Sequence, residues 1–574
     1  MTRLVPRPLQ ADPEALPHDW HPVVRRVLAA RGISHRDELD HGLHRLASPR
    51  ALAGCDEAAE RIAGTLREGG RILVLGDFDA DGATSCAVAV RGLRAMGATD
   101  VDYLVPDRFA YGYGLSPAIA DVAVARAPDL VITVDNGITS HAGVAAVQAA
   151  GIPVIVTDHH LPGDELPPAA AIVNPNRAGD AHPGKALAGV GVIFHVMLQV
   201  RAVLRDQGWF GTAGEPGMAA LLDLVALGTI ADLVALDATN RILAEQGLRR
   251  IRSGAANAGI RALLAVAGRD AERVNAADLG FAVAPRLNAA GRLEDIGVGI
   301  ECLITDDIDR ASALAQRLDE LNRERRSIEG RMRDEAIATV EALRERLGGH
   351  APPAGICLHS DDWHEGVVGL VAGRVKEHFH RPVVALAPSE DATRLKGSAR
   401  SIPGVHMRDL LAMIDARHPA IIERFGGHAM AAGLSLPADN REAFRDAFEA
   451  AVTEIVSSDL LADEMSIDGA LEAEDFSLAL AGTLRTLVPW GQGFPEPRFS
   501  NRFGIREHRV VGERHLKLRV IPEAGGPVLE AIAFNAVDRG WVDPGETAQL
   551  TYRLDVNRYR GQDRLQLIVE HIQP

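Results

Sequence analysis

Cysteine is scarce in this chain, and its few copies are scattered. The 574 residues include four cysteines, at positions 55, 86, 302 and 357, and no two of them form a C-x-x-C pair. The N-terminus lacks the charged and then apolar pattern of a secretory signal. No disulfide framework is therefore expected, and we predict a protein of the reducing cytoplasm.

Long apolar runs and an excess of positive charge are absent as well. The most apolar long window, residues 218–236, is interrupted by Asp223 and Asp232, so we expect no membrane segment. The formal net charge is −17, which argues against nucleic-acid binding through bulk positive charge. A local basic channel is compatible with an acidic exterior, so the net charge does not exclude a nucleic-acid substrate.

Three aspartates at alternate positions follow a short apolar run. Residues 72–75 are all aliphatic and predict a buried strand, and residues 83–96 predict the helix after it. Asp77, Asp79 and Asp81 lie in the turn between the two. Three carboxylates in one turn repel one another unless a cation neutralises them. Because ligands bind beyond the carboxyl ends of parallel strands, we predict a metal site at this edge.

The same arrangement recurs further along the chain. Residues 130–134 and 152–157 are strand-like runs that end in polar side chains, and the apolar segment 224–230 is followed closely by an acid. The polar side chains at these ends are Asp135, Asp158, His159, His160 and Asp232. Carboxylates mixed with a neutral imidazole suit Mn²⁺ or Mg²⁺ better than zinc. So many acids also favour a pair of ions over one.

Taken in order, these motifs resemble those of a known family. The four phosphoesterase motifs of the DHH superfamily resemble Asp77-x-Asp79-x-Asp81, Asp135-Asn136-Gly137, Asp158-His159-His160 and Asp232. The signature of the DHH-associated domain resembles residues 426–433, GGHAMAAG. At this chain length the set resembles the bacterial single-strand-specific exonucleases of that superfamily. The resemblance implies a two-metal enzyme that degrades single-stranded DNA 5′-to-3′ to 5′-mononucleotides, in DNA repair and recombination.

The resemblance also implies roles for the clustered side chains. Asp135 would bridge the two ions, His160 would contact the scissile phosphate, and Asp158 would orient the histidine pair. Two divalent ions can clamp the attacking and leaving oxygens of an in-line displacement. The implied metal ligands are Asp77, Asp79, Asp81, Asp135, His159 and Asp232.

Other stretches carry groups suited to substrate phosphates. Arg108 stands beside aromatic residues in a Gly-rich loop, although a surface loop with buried tyrosines would have the same composition. Ser398 and Arg400 offer a hydroxyl and a guanidinium, and with Arg108 they are our candidates for a 5′ terminal phosphate. On its flanking glycines alone His428 would be a core histidine, whereas the resemblance favours substrate contact. The resemblance adds three residues near the active site: Arg286, Asn288 and Arg292.

Alternating strand-like and helical segments predict an α/β protein of several domains. Residues 1–50 are predicted to form a helical cap over the sheet, with short helices at 23–30 and 35–46. The predicted domains after it are a doubly wound parallel-sheet DHH domain (51–305), a long connecting helix (306–348), a second α/β domain, the DHH-associated domain (349–460), and an OB-type β-barrel (461–574).

The predicted barrel rests on five strand-like runs with Gly and Pro between them. These runs are residues 499–511, 515–521, 529–535, 548–556 and 564–571. Such barrels commonly bind single strands, and a packing module with ordinary surface arginines is the alternative. The candidate DNA contacts are Arg514, Lys517, Arg519, Arg553, Arg558, Tyr559 and Arg560.

Two other functions fit parts of the pattern. Small-molecule or oligonucleotide phosphohydrolases share the DHH core, but the long helix and the barrel argue against them. Catalytically inactive replication-fork scaffolds share the fold, but they characteristically lose metal ligands that are all present here. We therefore expect a monomeric enzyme whose substrate is single-stranded DNA. A helicase and a single-strand-binding protein are candidate partners.

Overall fold

The structure is a computed structural model. It describes residues 2–106, 114–212, 214–346, 352–389, 391, 393–456, 460–461, 464–559 and 561–574. The chain divides into two compact units. One contains residues 6–319 and 466–574, and the other contains residues 1–5 and 320–465.

The strands and helices are numbered in chain order. The strands are β1 (Arg3–Pro6), β2 (Ile72–Leu75), β3 (Val101–Leu104), β4 (Leu130–Val134), β5 (Val154–Thr157), β6 (Ala171–Val173), β7 (Ile356–His359), β8 (Val383–Pro388), β9 (Arg394–Arg400), β10 (Arg424–Gly427), β11 (Ala431–Pro437), β12 (Glu464–Ile467), β13 (Phe499–Val511), β14 (His515–Pro522), β15 (Leu529–Ala533), β16 (Thr547–Tyr559) and β17 (Gln562–Gln573). The helices are α1 (Pro22–Ala29), α2 (Cys55–Arg67), α3 (Ala80–Ala95), α4 (Pro117–Ala125), α5 (His141–Ala149), α6 (Gly189–Asp206), α7 (Leu222–Ala231), α8 (Ala238–Arg252), α9 (Ala258–Val266), α10 (Ala276–Asp278), α11 (Ala284–Leu293), α12 (Gly297–Ile304), α13 (Ile308–Arg346), α14 (Val368–Phe379), α15 (Met407–Arg417), α16 (Arg441–Ile455) and α17 (Leu478–Thr486).

The domain predicted at residues 51–305 is built on a parallel sheet with the strand order β3-β2-β4-β5-β6. Strands β2, β4 and β5 are buried along their whole length, as their aliphatic sequences predict. The chain adds β3 on one side of β2 and β4 on the other, so the order of the strands reverses between β2 and β4. Ligand sites lie at such reversals in doubly wound sheets. The predicted fold class is confirmed, and the reversal lies where the first acids were found.

Helix α3 begins three residues earlier than predicted. The carboxylate of Asp79 caps it by accepting hydrogen bonds from the N–H groups of Asp81 and Gly82, at 2.9 and 3.0 Å. The helix therefore starts at Ala80 and contains Asp81 in its first turn. The sequence placed Asp81 in a loop because a small, polar start to a helix has no apolar periodicity.

The N-terminal segment does not cover the parallel sheet, and that prediction was wrong. Val24, Val27 and Leu28 of α1 share a hydrophobic core with Phe499 and other barrel residues. Its predicted second helix is two short 3₁₀ turns, Arg36–Leu39 and Leu43–Arg45. An amphipathic stripe shows that a helix packs on something, but it does not identify the surface.

Helix α13 is a single, continuous helix, as predicted, and it continues across residue 320, where the two units divide. Within the second unit, the sheet has the order β10-β11-β9-β8-β7 and is mostly antiparallel. Its core contains Val384, Leu386, Phe444 and Phe448, the last two from α16. Arg374 of α14 forms an ion pair with Glu329 at 3.0 Å.

The C-terminal strands close into a barrel with the order β13-β14-β15-β17-β16. Phe499, Phe503 and Tyr552 fill its interior, where their side chains are fully buried. Arg273 of the catalytic domain binds both carboxylate oxygens of Asp563 on β17, each at 3.0 Å. The OB-type barrel is therefore confirmed. Within the part of the chain that the structure describes, no helix has the length and apolar character needed to cross a bilayer.

Candidate active site

The polar residues that follow β2, β4 and β5 meet at one point with the end of α7. The Nε2 atom of His159 lies 3.1 Å from a carboxylate oxygen of Asp135, 3.5 Å from one of Asp232 and 3.9 Å from one of Asp81. Three overlapping groups have potential ligand atoms within 4.8 Å of one another: Asp135 with His159 and His160, Asp81 with His159 and Asp232, and Asp77 with Asp79 and Asp135. The structure thus brings together every side chain predicted to hold metal.

Burial and mutual repulsion raise the pKa values of these acids. Burial, followed by the charge of Asp79, raises the pKa of Asp81 to about 7. Burial and the charge of Asp81 likewise raise the pKa values of Asp135 and Asp232 well above the usual range. So many crowded carboxylates are compensated when divalent cations bind them. The oxygen-rich donor set with one imidazole fits Mn²⁺ or Mg²⁺.

Helix α6 supports this cluster from its N-terminus. The N–H groups of Gly189 and Val190 donate hydrogen bonds to the two carboxylate oxygens of Asp81, at 2.7 and 2.9 Å. A Cβ atom at Gly189 would lie 2.6 Å from the Cβ of Asp135, so only glycine allows this approach. Asp135 itself has a φ of 61°, in the left-handed region. The sequence did not identify Gly189, because a glycine at a helix start is common and carries no chemistry of its own.

The Asp-His-His segment contains its own hydrogen-bond network. The Nδ1 atom of His160 lies 2.7 Å from Oδ1 of Asp158, and the other oxygen of Asp158 accepts the N–H of Ile138 at 2.9 Å. Burial alone would raise the pKa of Asp158, yet that pKa is lowered because His160 and backbone N–H groups donate to it. Burial would lower the pKa of His160, but the hydrogen bond to Asp158 raises it. The geometry is that of a carboxylate orienting an imidazole ring.

Helix α11 carries three of the predicted substrate contacts. The side-chain oxygen of Asn288 accepts the N–H of Ala80 at 2.8 Å. The guanidinium of Arg286 lies 2.7 Å from a carboxylate oxygen of Asp319. Arg292 lies near the end of the same helix and is half-buried. Asn288 therefore stabilises the turn that carries Asp79 and Asp81, and the ion pair of Arg286 links α11 to α13.

In the second unit, Ser398 and Arg400 are alternate residues of β9. An Nη1 atom of Arg400 donates to Oγ of Ser398 at 2.9 Å and to the carbonyl of Ala399 at 2.8 Å. A Cβ atom at Gly369, in the first turn of α14, would lie 2.9 Å from both side chains. Burial lowers the pKa of Arg400, and Arg400 takes part in none of the ion pairs between described residues. A half-buried cation with a hydroxyl beside a helix start is suited to an anion.

Two predicted substrate contacts remain, His428 and Arg108. His428 lies in the turn between β10 and β11 and is exposed, so the core-histidine alternative is wrong. Arg108 falls outside the described residues.

Most of the barrel cations proposed for DNA have acidic partners instead. Arg519 pairs with Glu507 at 2.8 Å, and Lys517 pairs with Glu530 at 3.0 Å. Arg553 binds Glu496 and Glu570, and Arg558 lies 4.0 Å from Asp270. Arg560 lies outside the described residues. The single-strand surface predicted for these cations is therefore largely neutralised by neighbouring strands and loops.

Three models of known families match parts of the chain. The model described as the DHH family, N-terminal domain, matches residues 71–229. The DHHA1 domain matches residues 352–454, and the RecJ OB domain matches residues 467–571.

Known proteins are similar over the whole chain. The single-stranded-DNA-specific exonuclease RecJ of Salmonella typhimurium is 51% identical over 569 residues, which cover 98% of each chain. The RecJ of Bacillus subtilis is 33% identical and covers 99% of this chain and 70% of its own. A crystal structure of Thermus thermophilus RecJ in complex with Mn²⁺ matches with a TM-score of 0.79 at 30% identity, and covers 100% of this chain and 79% of that one. The corresponding Mg²⁺ complex matches with a TM-score of 0.73 at 28% identity, covering 100% and 78%.

Proposed function

The chain belongs to the RecJ family of single-stranded-DNA-specific exonucleases, and from that premise we propose that it removes 5′-mononucleotides from the 5′ end of a single strand. It is a metal-dependent exonuclease of single-stranded DNA, with Mn²⁺ or Mg²⁺ as the cofactor. The observation that carries the proposal is that five aspartates and His159 fall into three overlapping groups, each with its potential ligand atoms within 4.8 Å of one another. The finer features, namely polarity, product and number of ions, are argued below.

Six side chains are proposed to hold the metal: Asp77, Asp79, Asp81, Asp135, His159 and Asp232. Bound divalent ions supply Lewis acidity, which activates water and neutralises charge on the phosphate. Asp135 belongs to two of the three ligand groups, which makes it our candidate for the residue shared between two ions. The backbone N–H groups at the start of α6 hold the carboxylate of Asp81 in a fixed orientation for binding a metal ion.

His160 is proposed to bind the scissile phosphate. Its Nδ1 is fixed by Asp158, and against the opposing effect of burial that hydrogen bond raises the pKa of the ring, which favours the protonated form. A protonated imidazole oriented in this way binds a phosphate oxygen through Nε2 and stabilises the negative charge that develops there. Asp158 acts through His160, as a positioning residue.

The cradle of Ser398, Arg400 and Gly369 is proposed to bind the 5′ terminal phosphate. Its guanidinium and hydroxyl are close together, and the absence of a side chain at Gly369 leaves room beside them. A terminal phosphate carries more charge than an internal phosphodiester and makes stronger charge-assisted hydrogen bonds. The 5′-to-3′ direction and the stepwise release of mononucleotides are proposed from the membership in the RecJ family. Arg108, Arg292 and His428 remain candidate contacts for the rest of the strand.

We also propose a compartment, an oligomeric state and partners for this enzyme. All four cysteines are free, and three of them, Cys55, Cys86 and Cys302, are buried, which supports a reducing compartment such as the cytoplasm. We propose a monomer that acts in DNA repair and recombination after a helicase has separated the strands, beside a single-strand-binding protein.

An end-labelled single strand tests the proposal. With Mn²⁺, a 3′-labelled strand should shorten one nucleotide at a time from its 5′ end, and a 5′ label should appear at once as a mononucleotide. Internal cuts, or a label released first from the 3′ end, would overturn the polarity. A dinucleotide cleaved as efficiently as a long strand would favour a small-molecule phosphohydrolase.

A further inference from the structure

Large apolar side chains are exposed at few places in the catalytic domain. Among the described residues of 51–305, they are Leu161, Leu166, Trp209, Leu233 and Phe281. Trp209 is only 39% exposed, and its indole nitrogen donates to the carbonyl of Met96 at 2.8 Å. Three of the others adjoin active-site elements: Leu161 follows His160, Leu233 follows Asp232, and Phe281 lies in a segment that packs on α7. Single exposed apolar side chains are common on protein surfaces, but several of them around one reaction centre are candidates for contact with a ligand.

Leu233 is unsuited to its position by two separate criteria. It has a φ of 61°, in the left-handed region, immediately after Asp232 ends α7. Glycine and asparagine are the residues that commonly end helices in this conformation, because a larger side chain is strained there. Its side chain is also 68% exposed, so packing in the protein core does not offset the strain. Neither backbone conformation nor packing therefore accounts for a leucine at this position.

Phe281 is 81% exposed, more than any other large apolar side chain in the described chain. It lies in a π-helical turn, Leu279–Val283, between α10 and α11, and such turns are frequent at functional sites. A Cβ atom at the neighbouring Gly280 would lie 3.2 Å from Cγ2 of Ile230, which precedes Asp232 by two residues. The turn of Phe281 thus packs against the end of α7, from which Leu233 extends.

We propose that Leu233 and Phe281 contact the nucleobases of the strand at the metal site. The inference rests on the exonuclease activity proposed above. In single-stranded DNA the phosphates and sugars are polar, and the base faces are the apolar surface that these side chains can cover. In a duplex those faces are stacked on neighbouring bases. The two side chains therefore favour unstacked bases of any sequence, and they contribute to the preference for single strands.

The test is a double-mutant cycle in which one change is made in the DNA. A set of 5′-phosphorylated single strands of one sequence carries a single abasic residue at each of the first several positions. With Mn²⁺ at saturation, we expect the parent protein to lose about 5- to 150-fold in kcat/KM when the abasic residue occupies a contacted position. On the intact strand, Phe281→Ala and Leu233→Asn should each lower kcat/KM by a similar factor. On the strand with the abasic residue at the contacted position, each variant should have nearly the same kcat/KM as the parent.

Matched controls are available in the same chain. Phe534→Ala and Leu9→Asn alter exposed residues of the same types, at 48% and 54% exposure, away from the metal site, and should respond to abasic residues as the parent does. Asparagine suits the left-handed conformation, so Leu233→Asn should unfold at the parent temperature or above it. If Leu233→Asn fails to fold, Leu233→Gly replaces it in the same cycle.

The outcomes separate this inference from the proposed function. If the parent and both variants respond equally to every abasic position, the two side chains do not contact bases and the inference is overturned. If the parent itself fails to degrade single strands with Mn²⁺, the proposed function fails instead. Non-additive losses confined to one or two positions support the inference and identify the contacted nucleotides.

Discussion

The side-chain oxygen of Asn288 accepts a hydrogen bond from the N–H of Ala80 at 2.8 Å, and it thereby links α11 to the first turn of α3. Asp79 and Asp81 flank Ala80. Asn288→Ala would leave the N–H of Ala80 without its hydrogen-bond acceptor. An unsatisfied buried N–H destabilises the folded turn by about 1 to 3 kcal/mol. We expect the concentration of Mn²⁺ needed for half-maximal activity to rise by roughly tenfold, with kcat recovered at saturation.

The matched control for this variant is Asn440→Ala, which removes a side chain that binds backbone carbonyls in the second unit. That variant should keep the parent requirement for Mn²⁺. If Asn288→Ala instead raised KM for DNA at saturating Mn²⁺ and left metal affinity unchanged, Asn288 would contact the substrate, as the sequence resemblance implied.

A second prediction concerns the terminal phosphate. In Gly369→Ala the new methyl group would lie 2.9 Å from Arg400 and Ser398 and should displace the guanidinium. The parent should prefer a 5′-phosphorylated strand over a 5′-hydroxyl strand by about tenfold, since a charge-assisted hydrogen bond contributes about 1.5 to 3 kcal/mol. Gly369→Ala and Arg400→Ala should both reduce that preference, which steady-state rates on the two strands would show.

Gly373→Ala is the control, because its added methyl group would meet nothing within 4 Å on the same helix. It should preserve the tenfold preference. Equal losses on both strands in Arg400→Ala would mean that the cradle contacts internal backbone and not the terminal phosphate.

A third prediction concerns acid stability. His195 of α6 is fully buried, and this burial lowers its pKa to about 4. In the unfolded chain His195 binds a proton near pH 6.5, whereas in the folded chain it binds one only near pH 4. The free energy of unfolding should therefore fall as the pH drops from about 6.5 towards 4. The full effect of this one group is about 3 kcal/mol. His195→Phe should lose less stability than the parent between pH 7.5 and 5, measured by denaturant unfolding.

The same acid sensitivity in His195→Phe as in the parent would show that other groups, such as buried His182, are responsible.

Much of this architecture can be predicted from local sequence, and the reason is physical. Strands β2, β4 and β5 are buried on both faces, so they are continuous aliphatic runs, and the acids that interrupt them mark the carboxyl edge of the sheet. The barrel strands were found from five short strand-like runs with Gly and Pro between them. Helix α13 follows from unbroken helical periodicity.

What could not be predicted depends on partners far apart in the chain. Asn288 and Ala80 are separated by 208 residues, and no periodicity signals their hydrogen bond. The guanidinium of Arg553 was proposed for DNA, but Glu496 and Glu570 come beside it only when the barrel closes. Helix α1 was assigned to the wrong surface because an apolar stripe fits a barrel core as well as a sheet.

The central claim is that the buried acids around Asp135 hold the catalytic metal. It is tested most directly by titrating Mn²⁺ into the parent and into Asp135→Asn while thermal unfolding and nucleotide release are measured on the same samples.

Mn²⁺ should raise the unfolding temperature of the parent. Asp135→Asn should unfold at or above the temperature of the metal-free parent, because one of the repelling charges is gone, and should respond weakly to Mn²⁺. Its kcat/KM should fall by more than about 100-fold, the upper range for losing a group that merely supports a metal ligand. Near-parent nucleotide release by a folded Asp135→Asn, with an undiminished response to Mn²⁺, would contradict the account.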